Sequence, residues 1–453
     1  MKLSKSAIID LILLTCIGIF FCFYNLSKLY SFEFDQERDY NIVKSIAVDH
    51  KLTLIGPRVV SSAGFYLGPW YFYSQVPFFL AFKGDPLYGA YFTGAINLSI
   101  CLLFYFVIKK LTGSRLISLA AAILWVSSSN RINWNVSFVP LFLLCFLHLY
   151  SQFLKAKSFK IFWLLTLTMF LSLNFHPQMI FILPLWCFAA IKLIRSKKIN
   201  EAKIIFLVIT IILPFLPLAL FDLRHEFVNT NALLNFISHS SAKNADVSSF
   251  RPLYSLRQFS TSLTLIHPAF KHNLLLTTLI LLIGIIISLF NLEYLYLLVP
   301  TILSIFILSF YKELTWPEYY NLLSSLTLFI LFVVFISKHR ISKILFTLFS
   351  LYVVWLNFQT ITKNFDPGSY YFKKAMIQWM LEKNKPYEKL NIENDFKYGD
   401  GLGFTPIRDY YEKKTGQYNP DLKFYVSYTE NPKHNPTKQA FGLYAVSLIQ
   451  SKK

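Results

Sequence analysis

Long apolar runs recur along most of this chain, and each is close to the length that crosses a bilayer as one helix. About 20 consecutive apolar residues span the hydrocarbon core. The pattern predicts about eleven such spans. In chain order they are residues 7–26, 87–108, 116–129, 136–154, 159–175, 179–194, 204–221, 274–290, 292–310, 320–336 and 344–361. The predicted fold class is therefore an α-helical polytopic membrane protein.

Lysine and arginine are distributed unevenly between the loops that join these spans. Cytoplasmic loops carry the excess of both residues. The basic clusters all fall on one side of an eleven-span topology: Lys2 and Lys5; Lys109, Lys110 and Arg115; Lys155, Lys157 and Lys160; Lys192, Arg195, Lys197, Lys198 and Lys203; Lys338, Arg340 and Lys343. We expect a cytoplasmic (inner) membrane protein with its N-terminus inside and its C-terminus outside. The first run is interpreted as a retained helix, because it is long for a signal peptide and no small-residue cleavage site follows.

The composition agrees with this class, since 55% of the residues are hydrophobic and only 15% are charged, with a mean hydropathy of +0.47. The net charge of +20 is mostly a consequence of topology, so nucleic acid is not a predicted partner. The cysteines lie inside or at the edge of apolar spans, which predicts neither a disulfide framework nor a cysteine metal site. They are Cys16, Cys22, Cys101, Cys145 and Cys187.

The polar sequence is concentrated in three places. Residues 1–361 form the predicted transmembrane module, with long outer loops at 27–86 and 222–273. Residues 362–453 have a soluble composition and predict a small extracytoplasmic α+β domain, with a helix at 370–383 and strands at 390–394, 423–428 and 441–449. Because this domain lies on the same side as the outer loops, selection of an acceptor is one hypothesis for its role.

Acidic residues cluster just beyond the first span. Apolar or small residues at Tyr40, Val43, Ile46 and Ala47 follow at helical spacing, so this segment predicts an amphipathic helix on the membrane surface. Carboxylates one turn apart then share a face. The simplest interpretation is a helix N-cap followed by a solvated first turn. The alternative is a reactive carboxylate group, formed by Asp35, Glu37 and Asp39 with Arg38 among them.

The same loop continues with glycines, prolines and aromatic residues, including GPR at 56–58 and GFYLGPWYFY at 64–73. Aromatic residues at a bilayer interface form a belt in many membrane proteins. A belt does not require Gly-Pro turns that fold the chain back toward the membrane. The stretch is therefore also consistent with a shaped cavity beside the acids.

These motifs resemble those of the GT-C membrane glycosyltransferases, in particular the protein O-mannosyltransferase and aminoarabinose transferase group (glycosyltransferase family 39-like). The similarity lies in FDQERD at 34–39, GPWYFY at 68–73 and NWN at 133–135 with Pro140, and in the architecture of residues 1–360. The family motif commonly places glutamate directly after the aspartate, whereas Gln36 stands there in this chain. Asp35 is the residue that matches the family's catalytic carboxylate.

The resemblance implies transfer of a sugar from a polyprenyl-phosphate donor to a lipid, glycan or protein acceptor at the outer face, with inversion at the anomeric carbon. Asp35 would be the base, with Glu37 and Asp39 as further candidate carboxylates. The leaving phosphate requires positive charge. The candidate substrate-binding residues are Arg38, Arg58, Tyr66, Gly68, Pro69, Tyr71, Arg131, His176, Gln178, Arg224 and His225, and Lys271 also falls in an outer loop.

Carboxylates beside a phosphate also suit a divalent cation, so Mg²⁺ or Mn²⁺ at Asp35 stays open. No zinc motif, phosphate-cradling glycine loop or serine-nucleophile elbow occurs in the sequence, which argues against nucleotide hydrolysis.

Other functions are compatible with a polytopic protein. A transporter or flippase of lipid-linked saccharides would place ionisable residues near the bilayer midplane, whereas Asp10 and Glu293 lie near the predicted cytoplasmic ends of their spans. A polysaccharide polymerase or ligase would use loop 222–273 rather than Asp35. A non-catalytic scaffold would need neither.

Overall fold

The computed structural model describes residues 4–59, 64–129, 131–196, 199–239, 251–263, 273–310, 317–394, 403–413, 415–429 and 438–450. Helices make up most of it, as the sequence predicts. The first loop region and the helices before it comprise α1 (Lys5–Phe23), α2 (Leu26–Leu29), α3 (Phe34–Ala47) and α4 (Trp70–Ala81). The bundle continues with α5 (Tyr88–Thr112), α6 (Arg115–Ser127), α7 (Val139–Ala156), α8 (Phe159–Leu173) and α9 (Leu183–Arg195).

The second half of the bundle is built from shorter helices. It comprises α10 (Glu201–Ile212), α11 (Leu216–Arg224), α12 (Val228–His239), α13 (Pro252–Ser262), α14 (Leu274–Phe290), α15 (Leu295–Leu308), α16 (Pro317–Ile336) and α17 (Arg340–Lys363). Single 3₁₀ turns precede α7 and α9 and join α10 to α11. These turns extend the apolar segments to Asn135–Ala156, Pro177–Arg195 and Glu201–Arg224.

An apolar helix occupies each of the eleven predicted spans. Within the described residues, six are long and apolar enough to cross a membrane: α1, α5, α17 and the three extended segments. The other five, α6, α8, α14, α15 and the Leu322–Ile336 part of α16, are shorter. The chain is thus a multi-pass membrane protein. The number of crossings and the orientation stay predictions.

The acid in the first span is paired rather than isolated. Asp10 of α1 is fully buried, and the Arg115 guanidinium at the start of α6 donates to its Oδ1 at 2.7 Å. The Tyr105 hydroxyl of α5 donates to Oδ2 at 2.5 Å. A carboxylate among apolar helices is stable only with such partners. The bonds of Asp10 with Arg115 and Tyr105 thus connect α1, α5 and α6 at the end of the bundle opposite to the acidic helix α3.

The C-terminal region contains α18 (Tyr370–Lys383), α19 (Thr405–Tyr411) and four strands. The strands are β1 (Ile392–Asn394), β2 (Leu422–Tyr428), β3 (Lys438–Phe441) and β4 (Tyr444–Gln450), in sheet order β1-β2-β4-β3. β1 pairs with β2 in parallel, and the other two pairs are antiparallel. The predicted helix at 370–383 is confirmed.

One predicted strand in this region is wrong in extent. The sequence predicts a single strand over 441–449, but Phe441 ends β3 and pairs with Tyr444 at the start of β4. Gly442 adopts a φ of +58° between them. A two-residue loop with positive φ is the preferred connection of a β-hairpin. The alternating apolar pattern continues across the turn, so hydropathy alone does not reveal it. The division at residues 361 and 362 stays a prediction.

Candidate active site

The acidic helix α3 begins with a reciprocal cap. Gln36 Oε1 accepts a hydrogen bond from the Glu33 backbone N–H at 3.0 Å, as in a capping box. Its Nε2 donates to the Asn133 carbonyl at 3.1 Å, and the side chain is buried. Gln36, the departure from the family motif, therefore joins α3 to the loop before α7. A glutamate carboxylate could not make this second bond, because it has no proton to donate.

Asp35, Arg38 and Asp39 form a three-residue cluster on one face of α3. Arg38 Nη1 donates to Asp35 Oδ1 at 2.8 Å, while its Nε and Nη2 donate to Asp39 Oδ1 at 2.9 and 2.7 Å. The side chain of Asp35 is 25% exposed, and that of Asp39 is 1% exposed. The one-turn spacing predicted from the sequence thus places both carboxylates on the same guanidinium, with only Asp35 accessible.

The electrostatics of the cluster follow from this difference in burial. Burial raises the pKa of Asp39 to about 6, against the opposing effect of Arg38. Burial lowers the pKa of Arg38, but the charges of Asp39 and Asp35 outweigh it and the net shift is upward. Arg38 is therefore a permanent cation, and Asp39 loses its proton near pH 6.

A buried polar network lies beside Asp39 of this cluster. Tyr71 of α4 donates from its hydroxyl to Asn133 Oδ1 at 3.2 Å, and Asn133 Nδ2 donates to Gln75 Oε1 at 2.6 Å. The Tyr88 hydroxyl of α5 donates to the same Gln75 oxygen at 3.3 Å. Burial and the nearby Asp39 charge raise the pKa of Tyr71. The sequence marked Tyr71, and Asn133 only as part of a motif. Gln75 is not among the predicted site residues. Its position could have indicated it, because a glutamine in an apolar helix needs a polar partner.

Glu37, the third predicted carboxylate, lies on another face of α3. Its Oε2 accepts a hydrogen bond from the Gly403 backbone N–H in the C-terminal region. The structure therefore does not bring Glu37 into the cluster of Asp35 and Asp39. Its catalytic role stays a prediction from the sequence.

The glycine-rich stretch folds back on itself as a hairpin. The Gly56 N–H donates to Leu67 O at 2.7 Å, and the Leu67 N–H donates to Pro57 O at 3.0 Å. A Cβ on Gly56 would lie 2.0 Å from the Gly68 carbonyl oxygen, and one on Gly68 would lie 2.0 Å from Asn174 Oδ1. Both positions thus need glycine for close packing. Pro69 directly precedes α4, where its missing N–H costs nothing.

This hairpin, described over residues 54–59 and 64–69, is anchored to residues 221–229, a segment that runs from the end of α11 into α12. The Tyr66 N–H donates to Asn229 Oδ1 at 2.6 Å, and the Tyr66 ring packs against Phe221. Arg58 forms a β-bridge with Tyr66 and is exposed, with its Nε donating to Gly64 O at 2.9 Å.

Arg224 and His225 lie on the surface of the same segment. His225 stacks on Phe221 at 4.2 Å between ring centroids, and the side chains of Arg224 and His225 are exposed. Asp222 pairs with neither. It is buried and accepts bonds from the Asn229 N–H at 2.8 Å and the Thr230 hydroxyl at 2.6 Å, which caps α12. The Arg224 and His225 side chains therefore face outward, next to the hairpin that carries Arg58.

Three other predicted substrate-binding residues contact backbone groups of the protein, and their role in binding stays a prediction. Arg131 Nη2 donates to the Phe21 carbonyl near the end of α1 at 2.6 Å, and burial lowers its pKa. His176 is buried and its Nδ1 accepts the Gln178 N–H at 3.3 Å; burial lowers its pKa to about 3, so the ring is neutral. Gln178 Oε1 accepts the Leu323 N–H of α16 at 2.9 Å. Lys271 lies outside the described residues.

The donor set at Asp35 does not fit a divalent cation. Arg38 already lies between the two carboxylates and donates to both of them. In the described part of the chain, no group of three or more His, Cys, Asp or Glu residues is placed to hold a metal ion. A site for Mg²⁺ or Mn²⁺ needs several oxygen ligands that are not neutralised by a guanidinium.

Four loops predicted to be outside meet around this site. Gln36 contacts Asn133, and Asn135 Nδ2 donates to the Phe175 carbonyl at 2.7 Å. Gly68 packs on Asn174, and Tyr66 bonds to Asn229. These buried contacts thus connect the acidic helix to the segment that carries Arg224 and His225. These loops lie at one end of the helix bundle.

Comparison with solved structures gives the same fold. Two crystal structures of ArnT from Cupriavidus metallidurans, one bound to undecaprenyl phosphate and one in the apo state, each align over 98% of this chain and 98% of their own. Each gives a TM-score of 0.55 at 10% sequence identity. No family model matches the sequence, and no curated protein matches it. The resemblance inferred from the motifs is thereby confirmed at the level of architecture, and the chain has the GT-C fold of membrane glycosyltransferases.

Proposed function

We propose that this protein is a membrane glycosyltransferase that moves a sugar from a polyprenyl-phosphate donor to a hydroxyl acceptor. The observation that carries the proposal is Asp35, a partly exposed carboxylate held by Arg38 on the first turn of α3 in a GT-C fold. Since a fold alone does not fix a function, the argument rests on this side chain. A structural neighbour that binds undecaprenyl phosphate supports the class of donor.

In this proposal the acceptor hydroxyl gives its proton to Asp35 as its oxygen attacks the anomeric carbon. A new glycosidic C–O bond forms while the bond from the anomeric carbon to the phosphate oxygen breaks. The electron pair of the broken bond leaves with the polyprenyl phosphate. Arg38 donates to Oδ1 of Asp35 and thereby fixes the direction of the carboxylate. No covalent intermediate with the protein is needed.

Inversion at the anomeric carbon follows from a single displacement. Retention through two displacements would require an accessible carboxylate as nucleophile in addition to the base. Asp39 is buried and Glu37 bonds to Gly403, so neither carboxylate shares the exposed face with Asp35.

The departing phosphate needs positive charge that is not already neutralised. Arg58 and Arg224 meet this condition, because both are exposed and neither forms an ion pair with an acid among the described residues. The exposed His225 lies directly beside Arg224. Arg38 is neutralised by two carboxylates, and His176 is neutral. We therefore assign the phosphate to the surface formed by Arg58, Arg224 and His225.

The proposal includes the membrane orientation predicted from the distribution of lysine and arginine. The acidic helix and the C-terminal region lie on the extracytoplasmic side of the inner membrane, where the donor's lipid stays in the bilayer and its sugar faces outward. The acceptor is a lipid, a glycan or a protein with a free hydroxyl.

The test is sugar transfer by the full-length protein in membranes, from a panel of radiolabelled undecaprenyl-phosphate sugars. Asp35→Asn should abolish transfer from the donor that works, while donor binding persists. Asp49→Asn is the matched control, since Asp49 is an exposed acid of the same loop, and it should transfer normally. NMR of the product should show an inverted anomer. Undiminished transfer by Asp35→Asn would place the base elsewhere, and no transfer from any donor would favour a transporter.

A further inference from the structure

The C-terminal region contacts the chain directly before the acidic helix. The Tyr370 N–H of α18 donates to the Tyr30 carbonyl at 2.9 Å, and the Asp366 N–H donates to the Lys28 carbonyl at 2.9 Å. Ser31 forms a β-bridge with Ser369. The entry into α3 is therefore paired with backbone from a segment more than 300 residues later in the sequence.

Lys373 is the centre of this contact. Its side chain is fully buried, and the amine donates to the Phe32 carbonyl, one residue before the N-cap of α3. The amine also lies over the Phe404 ring at 4.9 Å and the Tyr444 ring at 5.5 Å from their centroids. Burying a lysine is costly unless its charge and donors are used. Here two rings and a carbonyl surround it.

Gly403 closes the contact from the other side. It adopts a φ of +102°, and a Cβ there would lie 2.1 Å from the Phe32 carbonyl oxygen and 2.8 Å from Lys373 Nζ. Its N–H donates to Glu37 on the first turn of α3. The start of the acidic helix is thus held by the lysine amine and by the glycine backbone together.

A second contact fixes the far end of the first loop. The Tyr370 hydroxyl donates to Asp85 Oδ1 at 2.8 Å, just before α5. One helix of the C-terminal region, α18, therefore contacts both the segment before α3 and the segment between α4 and α5.

We propose that Lys373 is a positioning residue for transfer: its buried amine orients the first turn of α3, and so Asp35, through the Phe32 carbonyl. This inference rests on the proposed function, because it assumes that Asp35 is the base. It gives the C-terminal region a part in holding the reactive carboxylate, which is distinct from the selection of an acceptor.

The charge on the amine matters for this role. Among the described residues, the acidic groups that face it are Glu33 at the N-cap of α3, Glu37 in the first turn of α3 and Asp366 before α18. Burial lowers the pKa of Lys373 to about 8, against the opposing effect of these three acids. The amine is therefore charged at neutral pH and loses its proton in mildly alkaline solution, where its attraction for the start of α3 ends.

The test compares Lys373→Met with Lys374→Met in the full-length protein. Lys374 is the neighbouring lysine of α18, half-buried, and its amine lies over the Tyr411 ring. Displacing a reacting group by about 1 Å costs on the order of 100-fold in rate. Lys373→Met should therefore lower kcat by about 10- to 100-fold with little change in the donor KM. Lys374→Met should match the wild type.

Two further readouts separate positioning from general damage. Wild-type kcat should fall as the pH rises through about 8, and this alkaline limb should be absent in Lys373→Met. Hydrogen exchange of the backbone in α3 should accelerate in Lys373→Met alone, and this measurement needs no substrate. If Lys373→Met does not fold, Asp366→Asn serves instead: removing this acid lowers the pKa of Lys373, so the limb should move to lower pH.

The outcomes distinguish the two proposals. If Asp35→Asn abolishes transfer but Lys373→Met changes neither kcat nor exchange in α3, the positioning role is overturned and the transferase stands. If Asp35→Asn transfers normally, the proposed function fails whatever Lys373 does. An alkaline limb that is unchanged in Lys373→Met, or unmoved in Asp366→Asn, also overturns the positioning role.

Discussion

Replacing Arg38 by methionine should destabilise the protein far more at pH 8 than at pH 5. The guanidinium donates two hydrogen bonds to Asp39, whose carboxylate is almost fully buried. Removing one partner of a buried ion pair costs about 3–5 kcal/mol, because an uncompensated charge is left behind. A third of the Arg38 side chain is exposed, so water screens part of the interaction. We therefore expect about 3 kcal/mol at pH 8.

The pH dependence follows from Asp39. Its pKa in the folded protein is about 6, above the ordinary 3.8. A raised pKa means that the stabilisation from protonation is fully present below about pH 3.8 and is lost as the pH rises through 6. In the wild type this loss is about 3 kcal/mol, from a rise of about two pH units at 1.36 kcal/mol each. Without Arg38 the pKa of Asp39 rises further, so the variant goes on losing stability above pH 6.

At pH 5 most of the Asp39 carboxyl is already protonated and needs no counter-charge. The variant should then lose only its hydrogen bonds, about 1 kcal/mol. The assay is thermal unfolding of the detergent-solubilised full-length protein at both pH values. Lys423→Met is the control, since Lys423 pairs with Glu393 on the surface, where the two side chains are 46% and 50% exposed; it should cost less than about 1 kcal/mol at both pH values.

A double variant, Arg38→Met with Asp39→Asn, sharpens the assay. It removes the Asp39 charge that Arg38→Met leaves unpaired. The free energy of unfolding of the double variant should therefore fall between pH 5 and pH 8 no more steeply than that of the wild type. Equal destabilisation of Arg38→Met at the two pH values would refute the reasoning, because it would show that Asp39 does not depend on Arg38 for its charge.

Two predictions concern the contacts between the loops. Gln36→Glu should lower stability by about 1–3 kcal/mol, measured by thermal unfolding, because the buried carboxylate faces the Asn133 carbonyl without a proton to donate; an unchanged midpoint would contradict this. Gly68→Ala should cost about 1–3 kcal/mol in the same assay, since the new Cβ meets Asn174 at 2.0 Å. Gly368→Ala, whose Cβ would meet its neighbours at 3.4 Å or more, is the control, and equal effects at the two glycines would disprove the packing argument.

Local patterns in the sequence predict the helices and the acidic cluster well. Hydropathy places an apolar helix at every predicted span, because lipid and core both select apolar side chains over the whole length of a helix. The spacing of Asp35 and Asp39 places both on one face of α3, because helix geometry depends only on sequence separation. What spacing cannot show is that one of these acids is exposed and the other buried.

The predicted substrate-binding residues differ in whether their side chains are exposed or contact the protein, and the sequence does not show this difference. Topology says that a loop lies outside, but it does not say whether a side chain points into the protein. Arg131 and Gln178 occupy predicted outer loops, yet each bonds to a backbone group of another helix, and His176 accepts a backbone N–H of its own turn. Buried backbone groups need such partners. Distinguishing these residues from Arg58 and Arg224 requires the tertiary packing.

Lys373 shows a signal that the sequence does contain. The buried face of α18 consists of Tyr370, Lys373, Met376, Ile377 and Met380, which is helical spacing with a lysine inside the apolar stripe. A lysine at such a position must have its charge used by something nearby. Its partner, the Phe32 carbonyl, lies 341 residues away in sequence and could not be identified from the pattern.

The two aspartates of α3 illustrate how one guanidinium can give identical residue types different properties. Arg38 bonds to both, but Asp39 is enclosed by Tyr71 and the Asn133 network while Asp35 faces outward. Asp39 keeps the guanidinium in place, and the guanidinium fixes the direction of Asp35. The C-terminal region also contacts the start of α3, because Lys373 donates to the Phe32 carbonyl and Gly403 donates to Glu37. An accessible carboxylate, oriented by a cation and by a distant lysine, suits a reaction that needs one base at a membrane surface and no nucleophile from the protein.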